Sequence, residues 1–233
     1  IMAPARTFTG DRHAPMRSPL AKAERRLIDA VVPRIPTWLE GYHLTLMTVL
    51  WSAGVVAAGY AVRASGQRHW LWLSSTMLVL QWATDSLDGS LGRHRDTGIP
   101  LWGYYMDHFL DYIFMATVFG HYAFFTAPAA ATWCLILVPL YGAFEANSWL
   151  EFGATGQFRI TYAGVGPTEI RLAFIALNTC LIWGGTAWLN PVLPWFAGAG
   201  ALLLVIIVWT TQKRIWALDM ANKQGAPGGP VAS

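Results

Sequence analysis

Long apolar runs are the feature that most limits what this chain can fold into. Runs of 18 or more residues rich in Leu, Ala and Trp recur along its 233 residues, of which only 12% are charged. A helix of that length covers the ~30 Å hydrocarbon core of a bilayer. A soluble helix bundle would show polar faces at helical spacing, and most of these runs lack them. The sequence therefore predicts an all-α integral membrane protein.

Turn-forming residues divide the apolar sequence into a bundle of six predicted transmembrane helices. The predicted spans are residues 42–62, 70–91, 101–125, 130–149, 169–186 and 194–216. We therefore expect three regions: a tail with a juxtamembrane helix at 1–40, a six-helix transmembrane domain at 41–217, and a disordered tail at 218–233.

A short amphipathic helix is predicted before the first span. Ser18-Pro19 resembles a helix start, and Leu20, Ala23 and Leu27 then share one apolar face. Basic residues occupy the other faces, as in helices that lie on a membrane surface. An ordinary solvated linker helix is the alternative.

The distribution of basic residues predicts the topology. With six spans, both termini lie on the same side, and that side carries fourteen lysines and arginines. The opposite side carries only Arg63 and Arg68. The positive-inside rule then places both termini in the cytoplasm of a multi-pass protein of the cell inner membrane or an endomembrane. This basic surface favours contact with the bilayer, and we expect no nucleic-acid partner.

A polar stretch from Asp85 to Asp111 interrupts the apolar sequence. If both of its halves are helical, each half presents one stripe of carboxylates and glycines. The first stripe holds Asp85, Asp88, Gly89 and Gly92, and the second holds Gly103, Asp107 and Asp111. Two acidic, glycine-lined faces joined by a short connection can meet, and the glycines leave room for a ligand.

Four neighbouring carboxylates repel one another unless cations hold them. Oxygen ligands suit hard cations such as Mg²⁺ or Mn²⁺, and two divalent ions would balance the four charges. Two such ions can clamp a diphosphate during an in-line displacement. Structural ion pairs are the alternative, but Arg93 and Arg95 are too few to neutralise four acids.

This pattern resembles the signature of the CDP-alcohol phosphotransferase family, Asp-x2-Asp-Gly-x2-Ala-Arg, a spacer of about eight, then Gly-x3-Asp-x3-Asp. Gly92 stands where alanine is usual, and the spacer has nine residues. The resemblance implies six transmembrane helices, usually as a homodimer, with a cytoplasmic active site. It implies transfer of a substituted phosphate from a CDP-alcohol to an acceptor hydroxyl and release of CMP.

The resemblance also implies roles for individual residues. Two Mg²⁺ or Mn²⁺ ions would be bound by Asp85, Asp88, Asp107 and Asp111. Asp111 would also be the catalytic base. The CDP group would be bound by Asp85, Gly89, Gly92, Arg93, Gly103 and Thr45, of which the last matches the threonine of a family motif in the first span.

The acceptor is predicted from weaker similarities. Trp149-Leu150-Glu151, Gly166-Pro167-Thr168-Glu169 and Asp107-His108 loosely resemble segments of choline and ethanolamine phosphotransferases. This favours a CDP-aminoalcohol donor and a hydrophobic, diacylglycerol-type acceptor. A plain helix start at Gly166–Glu169 is the alternative. The candidate acceptor residues are His108, Glu145, Glu151, Arg159, Glu169 and Arg171.

Three other functions compete with this interpretation. Within the family, a phosphatidyltransferase would instead join CDP-diacylglycerol to a polar alcohol. Intramembrane prenyltransferases also combine acidic faces with Mg²⁺, but their motifs lie on well-separated helices. A cation transporter would place its site on broken helices at mid-membrane, whereas these carboxylates are predicted near the cytoplasmic ends.

Overall fold

The computed structural model describes residues 21–156 and 166–225, and within them all regular secondary structure is helical. The α-helices are α1 (Ala21–Val31), α2 (Gly41–Ser65), α3 (Leu71–Arg95), α4 (Pro100–Gly120), α5 (Pro128–Thr155), α6 (Pro167–Gly184) and α7 (Leu189–Gly225). Short 3-10 turns follow α1, precede α3 and follow α4. The all-α prediction is thereby confirmed for the described residues.

Proline and glycine set several of the helix ends. Pro100, Pro128 and Pro167 are the first residues of α4, α5 and α6, where a missing amide hydrogen leaves no internal bond unmade. Gly66 and Gly156 end α2 and α5 in the left-handed conformation, with φ of 70° and 68°. Glycine adopts that conformation without a steric penalty.

One part of the core lies where α2, α3 and α4 meet. Val55, Leu78, Phe114 and Val118 are fully buried there and form one apolar cluster. α6 packs on α3, and α5 packs on α7 and α4. Complete burial of such side chains contributes about 1.5–3 kcal/mol each.

Buried hydrogen bonds fix the position of α6. The Asn178 side chain of α6 donates to Ser75 Oγ of α3 at 3.1 Å, and the Tyr122 hydroxyl donates to Asn178 Oδ1 at 2.7 Å. Asn178 lies seven residues after Arg171, so both project from one face of α6. The face that packs on α3 therefore also carries Arg171 towards the acidic stretch.

Three of the long helices have the length and apolar composition of membrane spans: α2, α5 and α7. The apolar helices indicate a membrane-embedded, multi-pass protein. The other three long helices, α3, α4 and α6, hold the carboxylates and the arginine described below. Each predicted span falls on one long helix, but the count of six spans stays a prediction.

Several boundaries differ from those predicted, among them the ends of α4 and α7. The third predicted span reached residue 125, but α4 ends at Gly120 and a 3-10 turn occupies His121–Phe124. The predicted disordered tail began at residue 218, but α7 continues to Gly225. Leu, Met, Ala, Lys and Gln are good helix formers, and they supply most of residues 218–224. Residues 226–233 lie outside the described part of the chain.

A helix is present where the juxtamembrane helix was predicted, although its predicted start at Ser18-Pro19 lies outside the described residues. Ile28 packs against the cluster of Val32, Leu44 and Leu91, which attaches α1 to the bundle. Leu27, on the predicted apolar face, is 50% exposed. Its contact with a membrane surface stays a prediction.

Candidate functional site

The carboxylates come from α3 and α4, which the short connection at residues 96–99 joins. Asp96 follows α3 with a φ of 56°, a left-handed conformation that aspartate tolerates better than most residues. The amide of Thr97 then donates to the Gly92 carbonyl at 3.1 Å. Both halves of the acidic stretch are helical, so the stripes expected from spacing are present.

Gly92 is buried where this connection packs on α3. A Cβ atom there would lie 3.1 Å from Gly98 Cα, tighter than ordinary van der Waals contact. The glycine thus allows the chain to turn closely from α3 into α4. Its predicted contact with CDP stays a prediction, and the space beside it is filled by Gly98.

Three carboxylates converge between the two helices. One oxygen from each of Asp85, Asp107 and Asp111 lies within 4.8 Å of the others, and all three residues are half-buried. Oxygen atoms at this spacing suit a hard divalent cation. Among the described residues this group fits the predicted metal site, since three adjacent negative charges require positive charge nearby.

Asp88 lies beside these three carboxylates and accepts a hydrogen bond of its own. Thr45 of α2 donates its hydroxyl to Asp88 Oδ2 at 2.6 Å. Asp88 remains close enough to repel Asp85, Asp107 and Asp111 electrostatically. Thr45, predicted to contact CDP, therefore orients one of the four carboxylates, and its contact with a nucleotide stays a prediction.

Gly41 allows α2 to reach this site, and the sequence analysis missed it. A Cβ atom at Gly41 would lie 2.7 Å from the Asp88 carbonyl oxygen, closer than real contacts come. The glycine therefore permits the approach that brings Thr45, one helical turn later, to Asp88. Its only signal in the sequence is a glycine four residues before a threonine.

Gln81 is a second residue that the sequence analysis missed. It is fully buried, and its Nε2 donates to Asp111 Oδ1 at 2.6 Å. Its Oε1 accepts from Arg171 Nε at 2.7 Å. Helical periodicity offered a signal, because Gln81 lies four residues before Asp85 in an otherwise apolar span.

Arg171 of α6 reaches the same carboxylates. Its Nη2 donates to Asp85 Oδ2 at 2.9 Å and lies 3.6 Å from Asp111 Oδ1. Only 5% of the residue is exposed. Arg171 was predicted to bind the acceptor; the structure places it within the acidic group itself.

Two of the predicted nucleotide-binding glycines, Gly89 and Gly103, have few close neighbours. Among the described residues no atom lies within 4 Å of a Cβ position at Gly103, and Gly89 meets only the Arg93 side chain, at 3.2 Å. Arg93 is exposed and donates to Ser90 Oγ at 3.1 Å. Open glycine faces beside the carboxylates leave room for a ligand.

The predicted acceptor residues are dispersed. Glu145 is half-buried, hydrogen-bonds to Tyr141 and lies close enough to Asp111 for charge repulsion. His108 follows Asp107 and has its Nδ1 2.7 Å from the Tyr104 carbonyl oxygen. These two residues therefore lie near the carboxylates.

The remaining predicted acceptor residues have other partners or lie outside the described part of the chain. Glu151 is buried and forms an ion pair with Arg214 of α7. Glu169 accepts a hydrogen bond from the Gly166 amide at 3.0 Å at the start of α6, so this segment begins a helix, and a role of Glu169 in acceptor binding stays a prediction. Arg159 is not among the described residues.

Glu24 connects α1 to the site. It accepts hydrogen bonds from Ser86 Oγ at 2.9 Å and from Thr168 Oγ1 at 3.0 Å. Ser86 follows Asp85 on α3, and Thr168 lies one turn before Arg171 on α6. The side chain of Glu24 thus joins three helices at the edge of the acidic group.

Comparison with known families agrees with this geometry. Residues 41–211 match the family model described as CDP-alcohol phosphatidyltransferase, which spans α2 to the middle of α7 and includes all four carboxylates. No individual curated protein matches the chain significantly. Because the match covers well over half of the chain, this protein belongs to the CDP-alcohol phosphatidyltransferase family.

Proposed function

We propose that this protein transfers a substituted phosphate from a CDP-alcohol to an acceptor hydroxyl and releases CMP, as a step of phospholipid synthesis. One observation carries the proposal: Asp85, Asp107 and Asp111 converge in a chain of this family. Together with Asp88 they would hold two divalent ions, Mg²⁺ or Mn²⁺. Bound ions would neutralise the diphosphate and the departing phosphate.

Asp111 is the proposed base. The acceptor hydroxyl gives its proton to Asp111 while its oxygen bonds to the phosphorus that carries the alcohol. The bond from that phosphorus to the bridging oxygen breaks, and CMP departs with this oxygen. The Gln81 amide, which donates to one oxygen of Asp111, holds the carboxylate in place.

The donor is proposed to lie along the glycine face of α3 and α4. Among the described residues Gly103 borders open space and Gly89 meets only the exposed side chain of Arg93, so the nucleotide and diphosphate can approach both helices closely once that side chain moves. Arg93 is exposed next to Gly89 and is proposed to pair with a phosphate oxygen. Cations so placed also stabilise charge that develops in the transition state.

A lipid acceptor of the diacylglycerol type is favoured. A cavity of about 350 Å³ opens between α1, α3 and α6, with a mainly apolar lining that includes Leu27, Val79, Trp82 and Leu172. Arg171 also lines it, so an acyl chain there would lie next to the carboxylates. Glu145, near Asp111, could orient the ammonium group of a CDP-aminoalcohol.

A phosphatidyltransferase that joins CDP-diacylglycerol to a polar alcohol is the second candidate. The same apolar cavity favours it, because its donor carries acyl chains. Both candidate functions are expected to share the six-span topology, the cytoplasmic position of the site and the homodimer, and all three stay predictions.

Product analysis tests the proposal. The purified protein is incubated with Mg²⁺ and with CDP-choline, CDP-ethanolamine or CDP-diacylglycerol, each with a matched acceptor, and nucleotides are separated by chromatography. We expect CMP, and neither CDP nor pyrophosphate, from at least one pair. Absence of CMP from every pair, together with pyrophosphate from an allylic diphosphate, would instead support a prenyltransferase.

A further inference from the structure

Arg171 is placed to stabilise the acidic group of Asp85, Asp107 and Asp111. Its guanidinium lies against Asp85 and Asp111, the same carboxylates that converge with Asp107. A buried cation is stable only when anions surround it, and buried carboxylates need a cation. The arginine and the acidic group therefore depend on each other within the described structure.

Gln81 fixes this arrangement from the other side. Because an arginine only donates and a carboxylate only accepts, the amide must present its oxygen to Arg171 and its nitrogen to Asp111. Both contacts are short, at 2.7 Å and 2.6 Å. Complete burial of Gln81 leaves no water to replace either partner, so the guanidinium is held in one place.

We propose that Arg171, clamped by Gln81, is a built-in counter-cation that stabilises the carboxylates when no divalent ion is bound and weakens the binding of divalent ions. The proposal rests on the carboxylates being the metal ligands of the proposed function. One guanidinium charge offsets only part of the charge of four carboxylates, so attraction for metal remains. Arg171 thus keeps the metal-free site folded and its ions exchangeable.

The test compares Arg171→Gln with wild type in detergent-purified full-length protein. Thermal unfolding is measured in EDTA and in saturating Mg²⁺, and Mn²⁺ affinity is measured by calorimetry. We expect the variant to lose several degrees of melting temperature in EDTA and less than half of that in Mg²⁺, since ions replace the lost charge. Its Mn²⁺ dissociation constant should fall at least about tenfold, because one repelling charge is gone.

Arg95→Gln is the matched control. Arg95 is also largely buried and donates to the carbonyl oxygens of Leu39, Ile35 and Pro36 at 2.6–3.0 Å. None of these contacts, nor its ion pair with Glu40 at 3.7 Å, involves the four carboxylates. Its loss should lower the melting temperature equally in EDTA and Mg²⁺ and leave Mn²⁺ affinity unchanged.

Arg171→Lys tests whether the effect of residue 171 comes from its positive charge or from the shape of the guanidinium. It keeps the positive charge but loses the fork that binds Gln81 and Asp85 together, so Mn²⁺ affinity should stay within about threefold of wild type. An equal loss of stability with and without Mg²⁺ in Arg171→Gln, or failure of that variant to fold even in Mg²⁺, would overturn the proposal. So would unchanged Mn²⁺ affinity with a raised KM for the acceptor, which would assign Arg171 to substrate binding.

The melting temperature and the Mn²⁺ affinity do not depend on turnover. If wild type binds Mn²⁺ and Arg171→Gln binds it more tightly, yet no donor yields CMP, the counter-cation role stands and the proposed function fails. If CMP forms but the Mn²⁺ affinity of the variant is unchanged, only the counter-cation role fails.

Discussion

Gly41→Ala tests whether the close approach of α2 to α3 builds the site. The new Cβ would lie 2.7 Å from the Asp88 carbonyl oxygen, about 0.7 Å inside the 3.4 Å where ordinary contact begins. The obstacle is backbone, so no side-chain rotation relieves it. Overpacking of this kind costs about 1–3 kcal/mol, while alanine gains up to about 1 kcal/mol in helix propensity. We expect a net loss of about 1–2 kcal/mol.

Gly153→Ala in α5 is the matched control, because no atom of the described part of the chain lies within 4 Å of its Cβ position. It should be neutral or stabilising by up to about 1 kcal/mol. Both variants are unfolded by denaturant in detergent, and CMP release is measured at saturating donor. We expect Gly41→Ala to be less active as well, because a displaced α2 carries Thr45 away from Asp88. If both variants have equal stability and activity, the close approach does not matter.

Three further substitutions test separate parts of the site. Asp111→Asn should still bind the CDP-alcohol with Mg²⁺ in calorimetry but turn over about 10²–10⁴-fold more slowly; loss of donor binding would make Asp111 chiefly a metal ligand. Gly89→Leu should fold, since its Cβ meets only the mobile end of Arg93, and should weaken donor binding; unchanged affinity would remove the nucleotide from this face. Glu24→Ala should lower the free energy of unfolding by about 0.5–1.5 kcal/mol and speed protease cleavage within α1, since two half-buried hydroxyls lose their acceptor; cleavage within α1 no faster than in wild type would argue against the link.

Local spacing was enough to predict much of the site. Asp85, Asp107 and Asp111 were expected together because helical periodicity fixes which side chains share a face and a short connection makes two faces meet. The same reasoning applied to Gln81, one turn before Asp85, would have added it. Spacing along the sequence could not predict which polar group on another helix each of these side chains contacts.

Arg171 shows why the rest could not be predicted. It lies 90 residues from Gln81 in sequence, and its position depends on how α6 packs on α3 through Asn178 and Ser75. Glu24 is similar: the amphipathic pattern of α1 predicted no role for it, yet it contacts α3 and α6. Such contacts follow from tertiary packing, which the sequence of one helix does not contain.

The central claim is that carboxylates from α3 and α4 together make the catalytic centre. Asp107→Asn tests it most directly, because Asp107 brings a carboxylate of α4 to Asp85 of α3. The control is Asp96→Asn, an exposed residue after α3 whose left-handed conformation asparagine also adopts. CMP release is measured in a single turnover with Mg²⁺ and whichever CDP-alcohol the wild type uses. The account predicts a loss of at least about a hundredfold for Asp107→Asn and wild-type release for Asp96→Asn. Release by Asp107→Asn within about threefold of wild type would contradict it.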